Sequence, residues 1–175
     1  MLCELPVPVQ VDAEGRWSVD GQPMILVPRH FWAYLQMEGE KALGVEAYAR
    51  SIYPATYRAA QVWCGREAKT HGLAGADVFR HYLKRISQRG YGQVRFLELD
   101  PASGTGLVRL DHSAFVAEYG QKVGRPVCHM FAGSFAGAMD WLCESAGLPH
   151  RAAVAETQCG AQGHDHCLFT IAPQG

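Results

Sequence analysis

The sequence has no run of about eighteen apolar residues, the length a helix needs to cross a bilayer. Its opening, Met1-Leu-Cys-Glu-Leu-Pro-Val-Pro8, lacks the basic flank and long apolar core of a secretory signal. Net charge is nearly absent as well: 16 Lys and Arg face 17 Asp and Glu, a formal charge of −1, so no summed field draws the chain to nucleic acid or to an anionic membrane. No GxGxxG follows a strand pattern, no Walker loop occurs, and no Ser-His-Asp or Cys-His arrangement suggests a nucleophile with its base. A cytoplasmic protein without catalytic residues, membrane or nucleic-acid partner is the expectation.

What is present is ordinary globular material. The 175 residues are 48% apolar and 19% charged, enough for one domain spanning 1–175 with a sizeable core. Six cysteines stand at 3, 64, 128, 143, 159 and 167. A reducing compartment argues against three disulfides, and the uneven placement argues for a metal.

Turn and periodicity signals predict short strands over Val7 to Val11, Arg16 to Val19 and Met24 to Val27, with Asp20-Gly21 as a two-residue hairpin turn. From His30 to about Gln88 the period is helical, and breaks are expected at Gly44, Pro54, Gly72 and Gly90. Within this stretch Arg80 to Arg85 reads as the solvated face of a helix whose buried stripe is Phe79, Leu83 and Ile86. A hairpin over Gly92 to Leu110 follows, then a short helix near Ser113 to Tyr119 and a longer one from about Pro126 to Glu144. The chain closes on two strands around Gly160-Ala-Gln-Gly163. Hairpins with helices inserted between them predict an α+β fold, an antiparallel sheet with packed helices, rather than βαβ units. Gly133 and Gly137 share one helix face and predict a close approach by another backbone.

The strongest chemistry lies in Glu156-Thr-Gln-Cys159-Gly-Ala-Gln-Gly163-His-Asp-His-Cys167. A hairpin brings Cys159 and Cys167 together across its turn. Glu156, an odd number of residues before Cys159, points to the opposite face of a regular strand, so a bulge is required to unite them. Zinc takes four thiolate, imidazole or carboxylate ligands, and Cys128, in the first turn of a helix whose dipole favours a thiolate, is the best fourth. Such a set neutralises the metal and closes its shell. His164 and His166 could replace Glu156 or Cys128, and the alternative to a metal is a pair of buried, reduced cysteines.

Glu156-x-x-Cys159 with Gly163 and Cys167, preceded by Cys128-x-Met130-x-x-Gly133-x-x-x-Gly137, resembles the 4-vinyl reductase domain family. The likeness is to its version in the sensor modules of bacterial aromatic-responsive transcription activators. It spans roughly Trp17 to Ile171 and is strongest towards the C-terminus. It implies zinc on Cys128, Glu156, Cys159 and Cys167, and a ligand-binding fold shared with nitric oxide sensors and vesicle-tethering subunits. A homodimer, a regulatory protein partner and a hydrophobic or aromatic ligand are implied too. Leu110 falls where the phenol sensors carry a tryptophan, and their partner histidine is replaced near Arg89, so phenol itself does not carry over. An ATPase domain and a helix-turn-helix are not expected.

Candidate ligand-binding residues are His112, which could orient a ligand, Leu110, and an apolar wall of Phe96, Tyr91 and Trp141; Cys64 and Cys143 read as core. The leading expectation is a non-catalytic binding or sensing module. The competing one is a 4-vinyl reductase of chlorophyll precursors, or an accessory protein of bacteriochlorophyll synthesis, although no nicotinamide or flavin motif is visible. A haem sensor ranks last: there are eight histidines but no Tyr-x-Ser-x-Arg propionate motif.

Overall fold

The computed structural model describes residues 7–174, which leaves Cys3 outside the described region. A three-stranded antiparallel sheet of β1 (Val9–Val11), β2 (Trp17–Val19) and β3 (Gln22–Met24) comes first. Helices α1 (Arg29–Leu43), α2 (Val45–His71) and α3 (Ala76–Gln88) follow. A second antiparallel sheet, ordered β4-β5-β7-β6, is built from β4 (Gln93–Asp100), β5 (Thr105–Asp111), β6 (Ala152–Gln158) and β7 (Cys167–Pro173). Helices α4 (Ala114–Tyr119) and α5 (His129–Ser145) lie between its two hairpins. The expected α+β class is therefore observed, with two sheets instead of one.

Asp20 and Gly21 both have positive φ, 52° and 73°, the backbone of a tight hairpin turn. That turn pairs Val19 with Gln22, so β3 starts immediately after it and ends at Met24, not at Val27 as expected. A second departure is Pro54, which was expected to break a helix and instead lies inside α2. A proline there costs about 3 kcal/mol, and the long packing face of α2 against α5 outweighs it. Third, α5 begins at His129 with Cys128 as its N-cap residue, later than the proline-led start expected.

The predicted close approach is observed between α2 and α5. A Cβ on Gly133 would run into the Tyr53 carbonyl oxygen and Thr56 Oγ1, and one on Gly137 into the Tyr57 carbonyl. Nearby, the buried Asp140 accepts a hydrogen bond from the Tyr57 hydroxyl (2.6 Å) and another from the Ala152 N–H (2.6 Å), joining α2, α5 and β6. Burial and the Asp140 carboxylate push the Tyr57 hydroxyl up to about 12, so it remains a donor. Between α5 and the sheet, Phe131 and Phe135 stack on each other and Phe169 of β7 meets both edge-on. Cys64 and Cys143 are fully buried core residues, as expected.

Gly137→Ala and Gly133→Ala should each lower the melting temperature, because the added methyl meets backbone rather than a yielding side chain; overpacking of this kind costs about 1–3 kcal/mol. Gly65→Ala in α2 is the control: its methyl would meet only the Trp141 indole nitrogen at 3.3 Å, and the gain in helix propensity offsets the crowding. Equal shifts in thermal melts of the three variants would refute the backbone-contact account.

Candidate metal centre and apolar hollow

Cys128, at the start of α5, meets the terminal hairpin. The β6–β7 register slips between Glu156 and Gln158, the bulge that the odd Glu156–Cys159 spacing requires, and it turns Glu156 towards the cysteines. Ligand atoms of Cys128, Glu156, Cys159 and Cys167 all lie within 4.8 Å of one another, so the four could hold a metal ion. Cys128 Sγ is 3.7 Å from Cys167 Sγ, which is 3.8 Å from Cys159 Sγ; a disulfide needs about 2.05 Å. His164 is exposed, and neither His164 nor His166 belongs to this group.

Donors surround the cluster. The Cys128 N–H bonds Glu156 Oε2 (3.0 Å), the Gly160 N–H bonds Cys167 Sγ (3.3 Å), and the Ala161 N–H bonds Cys159 Sγ (3.4 Å). Ser113 Oγ lies 3.1 Å from Cys128 Sγ and also accepts from the N–H groups of Phe115 and Val116, capping α4. Burial pushes the Cys128 thiol well up and the Glu156 carboxyl up to about 9, whereas the thiols of Cys128 and Cys159 beside Cys167 hold it down to about 5. Glu156 Oε1 is buried with no hydrogen-bond partner. A buried carboxylate oxygen left bare beside three thiols is what a cation would complete.

The segment that carries Cys128 is clamped from α1. The buried Glu40 carboxylate accepts from Arg125 Nη2 (2.6 Å) and lies 3.1 Å from His129 Nε2, while Gln36 Nε2 donates to the Val127 carbonyl (2.8 Å). Neither Gln36 nor Glu40 was singled out in the sequence. Their i, i+4 spacing at buried positions of a helix was the available sign.

An apolar hollow of about 280 Å³ opens beside α4, just below the usual range for small-molecule sites, roughly 300–1,000 Å³. The N-terminal sheet forms one wall through Val9, Trp17, Val19 and Met24, and Trp32, Tyr91 and Phe115 form the others. Ile25 and Leu26 stand at its lip, 74% and 79% exposed. Burial pushes the Tyr91 hydroxyl up, so it presents a neutral donor.

Of the five candidate ligand residues, only Tyr91 lines this hollow. Leu110 is fully buried against Gly92, whose missing Cβ makes room for it. Phe96 packs edge-on to Phe79 at 4.8 Å, and His112 is exposed with φ 54° just before the α4 cap. Trp141 lies over α2 and lines a separate, more open groove with Arg66 and Lys69. Trp17, Trp32 and Phe115 were missed because the sheet, α1 and α4 bring them together from positions distant in sequence.

Residues 3–97, more than half of the chain, match the family described as Domain of unknown function (DUF5943), and residues 107–173 match the 4-vinyl reductase domain. The protein belongs to the DUF5943 family and carries a 4-vinyl reductase domain. Among solved structures, the phenol-responsive sensory domain of the transcription activator PoxR with phenol superposes at a TM-score of 0.78 with 19% identity, covering 94% of this chain and 84% of that one. A vinyl-4-reductase family protein from Methanocaldococcus jannaschii follows at 0.55 with 16% identity, covering 87% and 85%. A trafficking protein particle complex subunit 3 from Naegleria fowleri, covalently bound to palmitic acid, reaches 0.52 with 11% identity, covering 85% and 98%. At these identities the likeness is one of fold. No curated protein matches the chain.

Ser113→Ala removes the α4 cap, and a change of this kind costs about 1 kcal/mol. The melting temperature should fall accordingly, with Ser113→Thr recovering most of the loss. A thermal melt in which both variants match the parent chain would show that the hydroxyl does not hold α4 in place.

Proposed function

We propose that this protein is a non-catalytic sensing module: Cys128, Glu156, Cys159 and Cys167 hold a structural zinc ion, and the hollow beneath the N-terminal sheet takes a small hydrophobic or aromatic molecule. The observation that carries the reading is the placement of α4. Its cap Ser113 lies against Cys128, and the next two residues, Ala114 and Phe115, line the hollow, so a ligand would bear on the element that packs against the cysteine cluster.

Zinc–thiolate bonds of about 2.3 Å in a tetrahedron imply sulfur–sulfur edges of about 3.8 Å, and the 3.7 and 3.8 Å separations support that geometry. Three thiols and one carboxylate form a closed, sulfur-rich set of the structural kind. Zinc bound there would tie the start of α5 to the terminal hairpin. Reduced thiols at these distances fit the reducing compartment inferred from the sequence, so a cytoplasmic location is part of the proposal.

We take residues 1–175 as one unit, since α2 from the first half packs along α5 from the second. A homodimer and a regulatory protein partner complete the reading, supported by exposed Phe31, Tyr34 and Leu35 on α1 beside the lip residues Ile25 and Leu26. PoxR is a phenol-responsive transcription activator. The ligand class proposed here, a small aromatic or apolar compound, follows that likeness together with the aromatic walls of the hollow.

Native mass spectrometry with elemental analysis should find one zinc per chain. Cys159→Ser and Cys167→Ser should lose it and melt at lower temperature, whereas Cys64→Ser, remote from the cluster, should keep the stoichiometry. Metal-free native protein would defeat the zinc assignment.

A thermal-shift screen of phenols, indoles, fatty acids and tetrapyrroles should yield a concentration-dependent rise in melting temperature for one class. Trp32→Ala should abolish that rise and Trp141→Ala should leave it intact. Turnover of a vinyl-bearing tetrapyrrole in a nicotinamide-coupled assay would replace the sensing module with a reductase.

A further inference from the structure

A second group of metal-ligating side chains lies in the first half of the chain, outside the segment that matches the 4-vinyl reductase domain. We propose that Asp20, Glu67, His71 and His81 form a separate site for a first-row transition-metal dication of the zinc, cobalt or nickel class. Their ligand atoms fall within 4.8 Å of one another, and three elements contribute: the β2–β3 turn, the last turns of α2, and α3. Glu67 and His71 are four residues apart on α2, so both face the same way.

His81 Nε2 lies 2.8 Å from Glu67 Oε2, and His71 Nε2 lies 3.3 Å from the same oxygen and 3.5 Å from Asp20 Oδ2. Metal–nitrogen and metal–oxygen bonds of about 2.0–2.1 Å give ligand–ligand edges of about 2.9–3.4 Å between octahedral and tetrahedral limits, so three of the edges stand close to those of a coordinated ion. Two imidazoles and two carboxylates suit borderline dications better than calcium or magnesium, which prefer an all-oxygen shell.

The charge balance points the same way. Side chains of Glu67, Asp20 and Arg85 are only 1%, 9% and 10% exposed. Two poorly solvated carboxylates thus share one guanidinium, and their other close neighbours are the imidazoles of His71 and His81. Arg85 bonds Asp20 through Nη2 but does not close on Glu67: its buried Nε stands 3.9 Å from Glu67 Oε2 and has no hydrogen-bond partner. Glu67 Oε2 is therefore turned to the two imidazoles. Reading Arg80 to Arg85 as a solvated face holds for Arg80 and Lys84 and fails for Arg85, which the two carboxylates draw inward.

Outer contacts hold these groups in place. Gln22 Nε2 donates to Glu67 Oε1 at 2.9 Å, and the Trp63 indole stacks on the His81 ring at 5.7 Å and 22°. Supports of this kind orient metal ligands. Arg85 competes with the ion for Asp20 and has an alternative acceptor in Gln88 Oε1, which it already reaches at 3.1 Å.

The test is a Co²⁺ titration of the full chain as purified, followed by calorimetry and by electronic absorption. One equivalent should give visible ligand-field bands without sulfur-to-cobalt charge transfer, separating it from cobalt held by Cys128, Cys159 and Cys167. His71→Gln, at a half-buried ring, should weaken that equivalent by at least roughly tenfold, Gln22→Ala should weaken it by about tenfold as lost outer contacts do, and Arg85→Gln should tighten it. Absence of a sulfur-free equivalent in the parent chain overturns the proposal. So does an equivalent whose affinity is unchanged in His71→Gln, with circular dichroism confirming the fold.

Discussion

Two helices from opposite halves of the chain touch backbone to backbone, and the remaining architecture is arranged around that contact. Gly133 and Gly137 let α5 lie against the carbonyls of Tyr53 and Tyr57 on α2. Anything larger than hydrogen at either position pushes the helices apart. The contact sets the height of α5 over the sheet, so Asp140 reaches both the Tyr57 hydroxyl and the Ala152 N–H. It also fixes where α5 begins, and so the position of Cys128. Dispersion between closely packed atoms is small per pair and large in sum, which is how a helix with a proline at position 54 remains one continuous rod.

From that axis the sites follow by short steps. Glu40 and Gln36 hold the segment before α5 to α1, Ser113 holds Cys128 to α4, and α4 passes Ala114 and Phe115 to the hollow. Phe131, one turn beyond Cys128, meets Tyr91 and Phe115 edge-on, so cluster, aromatic core and hollow are contiguous. The N-terminal sheet contributes the outer wall of the hollow, and its turn residue Asp20 is paired with Arg85 on α3.

Local signals were legible where the physics is local. The Asp20-Gly21 turn, the glycine pair of α5, the terminal hairpin and the bulge demanded by Glu156 and Cys159 all follow from spacing alone, and all are observed. The cysteine cluster was legible too, because one hairpin supplies most of it. The hollow was not. Trp17, Trp32 and Phe115 come from a sheet and two helices whose meeting is a tertiary matter, and an aromatic in such a sequence looks the same whether it ends in a core or at a wall. Leu110 and Phe96 show the converse: placed on β-strands near the expected pocket, they are consumed by packing against Gly92 and Phe79. Arg85 looked like a surface charge because its partners, Asp20 and Glu67, are 65 positions away in one case and on another helix in the other.

The bulged hairpin also divides the cluster into a local part and a long-range part. Glu156, Cys159 and Cys167 sit within one β6–β7 unit, so they converge as soon as that hairpin forms, a matter of microseconds for a local element. Cys128 is 39 residues from Cys167, and the α2–α5 bond between Tyr57 and Asp140 spans 83 residues. Closing loops of that length is what slows folding. The cluster therefore joins three ligands united by a local contact to a fourth that depends on long-range docking of the helices. The Cys128 thiol thus completes the cluster only where the long-range packing is in place.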